Sequence, residues 1–256
     1  MLILFLFCVA SYLIILPALL NVTRTALDTV YESVAESPES AQVGAALPVQ
    51  KTAYLTFDDG PSRVTPQVLD LLKSEGIHAT FFVTYHEYSR YDEMLRRIVA
   101  EGHTLGNHTY SHVYDKIYAS PESFLAEVAQ MREKIYEITG IDTTLFRYPG
   151  GSIAARNFSK GSSPDIFETM ERAGYFYFDW NADGGDQIAP FPSGAEVAQR
   201  ILATTKNLNN TVVLLHDTGL SQNTLEALPI VIEGLREQGF SFGTLSEDAV
   251  KVQFKK

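Results

Sequence analysis

Cysteine and basic charge are scarce in this sequence. A single cysteine, Cys8, excludes an intramolecular disulfide framework and a cysteine-based zinc site, so any metal must be held by histidine and carboxylate. Only 20 Lys and Arg stand against 31 Asp and Glu, a net charge of -11, which argues against nucleic acid as a partner because phosphate binding needs clustered cations. Glycine (17) and proline (11) are too few for collagen-like or proline-rich low-complexity chain. No internal repeat occurs.

What is present is apolar chain enough to bury a core, at 45% of 256 residues. Residues 2–20 carry no charge, and Ser11 and Pro17 alone interrupt the apolar run, long enough to span a bilayer core. No clear small-x-small cleavage site follows. A transmembrane signal anchor over 1–20 is therefore expected. Residues 21–50 turn small, polar and acidic and read as a flexible linker, leaving 51–256 as the folded domain. This arrangement predicts a single-pass protein of the cell membrane with its domain outside the cytoplasm.

From Ala53 onward, short apolar runs alternate with amphipathic stretches. AYLTF, ATFFV, YFYF (175–178) and TVVLL read as buried strands. Thr65-Pro66 opens a helix with Thr65 as its expected cap, and further helices end at Gly102, Gly140 and Gly239. Strand–helix alternation over about 200 residues implies parallel strands with helical crossovers, in an α/β wound sheet or a barrel. Either fold places chemistry at the carboxyl ends of the strands.

Those ends carry reactive types. Asp58-Asp59-Gly60-Pro61 follows the first strand, and two adjacent carboxylates repel unless a cation or proton intervenes. His108 and His112, spaced i, i+4, are expected on one face of a helical turn, close enough to share a metal. With Asp59 they make two nitrogens and one oxygen, the ligand count of an open catalytic zinc site that cobalt, nickel or iron could also fill. Arg147 follows Leu145-Phe146, Asp179-Trp180 follows YFYF, and His216-Asp217 follows TVVLL. The remaining histidines, His78, His86 and His103, read as structural or exposed. Six tyrosines (85, 88, 91, 110, 114 and 118) fall in or near strand-end loops, where they either anchor loops or stack on sugars. Asp183 and Asp186 in NADGGD read as shaping the cleft or stabilising a turn, and residues 152–164, with Gly161-Ser162-Ser163, read as a mobile loop.

Five segments in this order, TFDDGP (56–61), HTYSH (108–112), RYPGG (147–151), DW (179–180) and LLHD (214–217), resemble the polysaccharide deacetylase family with the NodB homology domain, carbohydrate esterase family 4. The resemblance spans about residues 50–252 and is greatest to bacterial peptidoglycan deacetylases. It implies a distorted (β/α) barrel and metal-dependent removal of acetyl groups from sugars. It assigns Asp58 as general base, Asp59, His108 and His112 as metal ligands, His216 as general acid, Asp179 as the charge partner of His216, and Arg147 as the group orienting Asp58. Tyr148 matches the residue whose backbone N–H faces the oxyanion, and Trp180 and Leu214 match positions lining the acetyl-methyl pocket. One departure stands out: Gly150 occupies a position that is commonly aromatic in the family.

The function expected from the resemblance is N-deacetylation of an extracytoplasmic glycan, with zinc as the expected cation. Peptidoglycan is the polymer nearest a tethered bacterial domain. Chitin oligosaccharides, O-acetylated xylan or a purely glycan-binding role are the competing readings. Oligomeric state is not legible.

Overall fold

The computed structural model describes residues 50–158, 163–249 and 251–254. The expected anchor and linker lie outside these residues, and no helix among the described residues is long and apolar enough to cross a membrane.

Eight strands form one sheet: β1 (Lys51–Asp58), β2 (Thr80–Val83), β3 (Thr104–Asn107), β4 (Leu145–Phe146), β5 (Phe176–Tyr177), β6 (Ala182–Asp183), β7 (Asn210–His216) and β8 (Phe240–Gly243). Their order is β5-β4-β3-β2-β1-β7-β6, and every pairing is parallel. β7 runs along β1 from Thr52 to Asp58, so the other edge of β1 is divided: β8 pairs with Lys51–Tyr54 and β2 with Thr56–Asp58. The sheet curls into a half-barrel, and no pairing joins β5 to β6 among the described residues. The helices are α1 (Thr65–Glu75), α2 (Tyr91–Ala100), α3 (Tyr114–Ile117), α4 (Pro121–Thr139), α5 (Gly151–Phe158), α6 (Ser163–Arg172), α7 (Gly194–Thr205) and α8 (Gln222–Glu237).

Two-residue alternation along the strands separates core from site. Ala53, Leu55 and Phe57 of β1, Phe81 and Val83 of β2, and Val213 and Leu215 of β7 face the helices and form the main core. The alternate residues face the inside of the curl, where Phe82, Leu145, Phe178, Val212 and Leu245 make a smaller apolar cluster. The same alternation carries Thr56, Asp58, Leu214 and His216 onto the inner face. A third cluster, largely aromatic, packs Phe124, Phe146 and Tyr148 with Ile166 and Met170.

Several local expectations change. Thr65 is not a helix cap: its Oγ1 accepts the Ser62 N–H and donates to Asp217, because Asp217 is buried and needs a donor. Of the loop expected over 152–164, residues 152–158 belong to a helix and 163–164 begin another, while residues 159–162 between them are not described. The structural reading of His103 holds: it is buried, its Nδ1 accepting the Ala79 N–H.

Candidate active site

The strand ends converge on one cleft. Asp58, the last residue of β1, is the register partner of His216, the last residue of β7. Both line a cavity of about 370 Å³ together with Asp59, His108, His112 and Asp186. Trp180 and Leu214 line the same cavity, as expected.

Asp58 is buried, and its Oδ1 accepts a 2.8 Å hydrogen bond from Arg147 Nη1. Arg147 is itself fully buried. Its Nη1 also donates to Thr56 Oγ1 at 2.7 Å, its Nε to the Phe178 carbonyl at 3.0 Å and its Nη2 to the Asp179 carbonyl at 3.2 Å. The guanidinium lies over the Phe82 ring, 4.3 Å from its centroid. A donor fork fixed at this many points holds the Asp58 carboxylate in one orientation. Burial raises the Asp58 pKa above the ordinary carboxylate value, against the pull of Arg147, His216 and His112.

Asp59, His108 and His112 form the one group of potential metal ligands among the described residues, each offering an atom within 4.8 Å of the others. Asp59 Oδ1 lies 3.5 Å from His108 Nε2 and 3.3 Å from His112 Nε2. That oxygen is buried and has no hydrogen-bond partner, as suits a ligand atom aimed at a cation. His108 Nδ1 donates to the Arg147 carbonyl at 2.9 Å, which leaves Nε2 as the free lone pair. Burial first, and the neighbouring His112 and Arg147 charges, lower the His108 pKa to about 3, so the imidazole stays neutral as ligation requires. The donor set fits a divalent cation.

The histidine pair does not ride on a helical turn. It lies in the loop between β3 and α3, and Thr109 (φ 71°) and His112 (φ 54°) take left-handed conformations that turn the second ring back to 5.0 Å from the first. Asp59, at φ 70°, is the third non-glycine residue with positive φ, so all such described residues cluster here. Each costs on the order of 1–3 kcal/mol, and the surroundings must enforce it. Glu127 of α4 supplies part of that hold. Its buried carboxylate accepts the Ser111 N–H at 2.7 Å and pairs with Lys116 at 2.5 Å. Asn107 helps too, accepting the Thr109 N–H while donating to the Val128 carbonyl.

The partner of His216 is Asp186, not Asp179. His216 Nδ1 donates to Asp186 Oδ1 at 2.8 Å, and the His216 N–H and Thr224 Oγ1 donate to Oδ2. Asp179 is occupied elsewhere, accepting from the Ser152 N–H and Oγ and from the Phe254 N–H. The chain turns away after β5 and returns through β6 beside β7, which brings residue 186 under His216. Burial lowers the His216 pKa, but the Asp186 hydrogen bond and charge, with Asp58 and Asp59, outweigh it and raise it to about 9. The site thus sets a buried carboxyl group and an imidazolium across one cavity.

For Tyr148 the expectation concerns the backbone N–H alone. Its side chain is buried against Phe124, Phe146 and Tyr177, and the residue of that loop that lines the cleft is Gly150. Sequence reading passed over Glu127, and it left Asp186 as a cleft-shaping or turn residue. Asp186 carried the clearer signal, an acidic residue seven positions beyond Asp179 in a glycine-containing turn that also holds Asp183.

A half-barrel with a two-histidine, one-carboxylate metal set beside a buried aspartate and a histidine–aspartate pair has the constellation of a metal-dependent hydrolase. A family model described as polysaccharide deacetylase matches residues 47–175. The chain is 35% identical over 208 residues to YheN of Bacillus subtilis, covering 79% of this chain and 70% of that protein. It is 31% identical over 204 residues to a peptidoglycan-N-acetylglucosamine deacetylase of Bacillus cereus, covering 78% and 71%. The crystal structure of the catalytic domain of the Eubacterium rectale peptidoglycan N-acetylglucosamine deacetylase superposes with a TM-score of 0.75 at 30% identity, over 85% of this chain and 98% of that one. The chain belongs to the polysaccharide deacetylase family.

Proposed function

We propose that this protein removes N-acetyl groups from the glycan strands of peptidoglycan, releasing acetate and leaving free amines. The observation that carries this reading is the convergence of Asp58, the metal set and the His216–Asp186 pair on one cleft. The choice of polymer rests on relatives named as peptidoglycan N-acetylglucosamine and N-acetylmuramic acid deacetylases. Zinc is the cation we propose, since two imidazoles and one carboxylate with open positions match its catalytic sites. We also propose that residues 1–20 anchor the protein in the membrane and that residues 21–50 tether the domain outside the cytoplasm.

A bound divalent cation supplies Lewis-acid polarisation of the amide carbonyl and acidifies water. Asp58, held by Arg147, takes one proton from the water whose oxygen bonds to the carbonyl carbon. Negative charge on the former carbonyl oxygen is met by the backbone N–H of Tyr148, in the loop that lines the cleft at Gly150. His216 gives its Nε2 proton to the amide nitrogen as the carbon–nitrogen bond breaks, so a neutral amine leaves in place of an anion. Asp186 stabilises the imidazolium before that transfer and fixes the ring's tautomer after it. Trp180 and Leu214 wall the side of the cleft where the acetyl methyl group would lie.

The test is acetate release by the full chain from peptidoglycan, chitin oligomers and acetylated xylan, after chelation and after zinc or cobalt is restored. Metal-restored release from peptidoglycan is expected. Release from xylan alone would replace the reading with an O-acetyl esterase, and release from chitin oligomers alone would replace the polymer.

A further inference from the structure

Among the six tyrosines in and near the strand-end loops, Tyr114 is the one that lines the active-site cleft. Tyr91 and Tyr118 are buried and spend their hydroxyls on the Thr84 and Pro149 carbonyls. Tyr85 stacks on Tyr110 at 4.8 Å, away from the metal set. Tyr114 begins α3, immediately after the metal-ligand loop, and its ring is fixed on three sides. It packs edge-on to His112 at 5.6 Å, to Phe158 at 4.9 Å and to Tyr118 at 5.7 Å. Its hydroxyl has no hydrogen-bond partner among the described residues and is not sealed from solvent.

That hydroxyl stands where a side chain at position 150 would begin. A Cβ built on Gly150 would lie 2.6 Å from Tyr114 Oη and 2.8 Å from Ala154 Cβ, and Gly150 has φ 72°. Nothing larger than glycine fits there while Tyr114 keeps its place. The glycine therefore opens the loop, and the phenol enters from the opposite wall.

We infer that Tyr114 is a substrate-contact residue, its phenol entering the space left open by Gly150 and donating a hydrogen bond to an oxygen of the sugar that carries the acetamide. The inference rests on the N-acetylated-glycan reading above. A rigid ring with one free donor suits this task, because little conformational freedom is lost when sugar binds. The contact lies beside His112 but makes no use of its ligand atom, so it is separable from metal binding.

The experiment compares full-length wild type, Tyr114→Phe, Gly150→Ala and the double variant on N-acetylglucosamine oligomers and peptidoglycan. Cobalt affinity of the chelator-treated proteins is titrated in parallel. Tyr114→Phe is expected to lower kcat/KM about tenfold, the usual weight of one hydrogen bond in a desolvated site, with cobalt affinity unchanged. Gly150→Ala is expected to displace the phenol and lower kcat/KM as well. Adding Tyr114→Phe to it should cost little more, because the two changes remove the same contact. Wild-type kcat/KM in Tyr114→Phe would overturn the inference, as would a loss that follows reduced cobalt affinity. Full additivity of the two substitutions would overturn the link to Gly150. If wild type itself releases no acetate from either glycan, the functional reading fails, a result distinct from equal activity of wild type and variant.

Discussion

His216 Nδ1 and Asp186 Oδ1 lie 2.8 Å apart, and the buried carboxylate of Asp186 accepts three hydrogen bonds in all. Its hydrogen bond and charge hold a proton on the imidazole, whose pKa rises to about 9 against the effect of burial. The protonation of His216, the acid in the proposed mechanism, is thus set by a residue on the loop between β6 and α7.

A pH profile tests that assignment. His216 must be protonated to serve as acid, so kcat/KM should fall as pH rises through about 9. Asp186→Asn removes the charge and should move this alkaline limb down by more than one unit, with a large loss of rate at neutral pH. Asp179→Asn should leave the limb in place and lower thermal stability, since Asp179 ties Ser152 to Phe254. The same pair has a stability signature. A group whose folded pKa is raised contributes stability that is full below its unfolded value near 6.5 and is lost as pH rises through about 9. Unfolding midpoints across pH 6–10 should show that decline in wild type and not in Asp186→Asn.

The base is tested by Asp58→Asn. The amide can still accept from Arg147 but cannot take a proton from water, so kcat should fall by roughly 10²–10⁴. Metal binding should survive, because Asp58 lies outside the three-residue ligand set. Retention of most of the wild-type kcat would remove Asp58 from the role of base.

Much of this was legible because strand periodicity and strand-end chemistry are local. The apolar run AYLTF marked β1, whose Leu55 and Phe57 lie in the core, and the strand-end position of Asp58 before Gly60-Pro61 pointed to the cleft that it lines. Where contacts are tertiary, the pattern misled. His108 and His112 have helical spacing, yet left-handed residues at 109 and 112 bring the rings together by another path. Asp179 beside Trp180 looked like the partner of His216, but only the return of the chain through β6 decides which acid arrives there. The Tyr148 side chain joins an aromatic cluster that no local pattern announces, which leaves the expectation for its backbone N–H untouched.

Metal removal should abolish turnover and lower stability together. Ligand binding to the native state adds RT ln(1 + [L]/Kd), about 2.7 kcal/mol at a free-metal concentration 100-fold above Kd. Calorimetry should therefore show a higher unfolding temperature with zinc than with chelator. His112→Ala, which removes one of three ligands, should lose most of that increment. An identical midpoint with zinc and with chelator would show that this set does not hold the cation.

Gly60 tests the turn that presents Asp59. A Cβ at this position would fall on the carboxylate of Asp217. Asp217 cannot retreat: it is buried, accepts from Thr65 Oγ1 and ties its backbone to Asp58 and Ser62. Burial first, with the Asp59 and Asp58 charges adding to it, pushes the Asp217 pKa up to about 7 against the Thr65 bond. Gly60→Ala should cost about 1–3 kcal/mol by overpacking, a Tm loss of several degrees by calorimetry.

Glu127 is the hold on the histidine loop that can be cut without touching a ligand. It is 3% exposed and reaches from α4 to the Ser111 N–H, one residue before His112. Its ion pair with Lys116 matters less, because that lysine is largely solvated. Glu127→Ala leaves the Ser111 N–H without its acceptor and releases the backbone that keeps His112 at φ 54°. Groups that orient metal ligands typically carry a 10–100-fold effect on affinity, so cobalt should bind roughly that much more weakly. Glu127→Gln keeps an oxygen facing Ser111 and gives up only the charge. It should recover most of the affinity while losing the pair with Lys116. If Glu127→Ala binds cobalt as wild type does, the strained conformation at His112 is enforced by Asn107 and the metal rather than by α4.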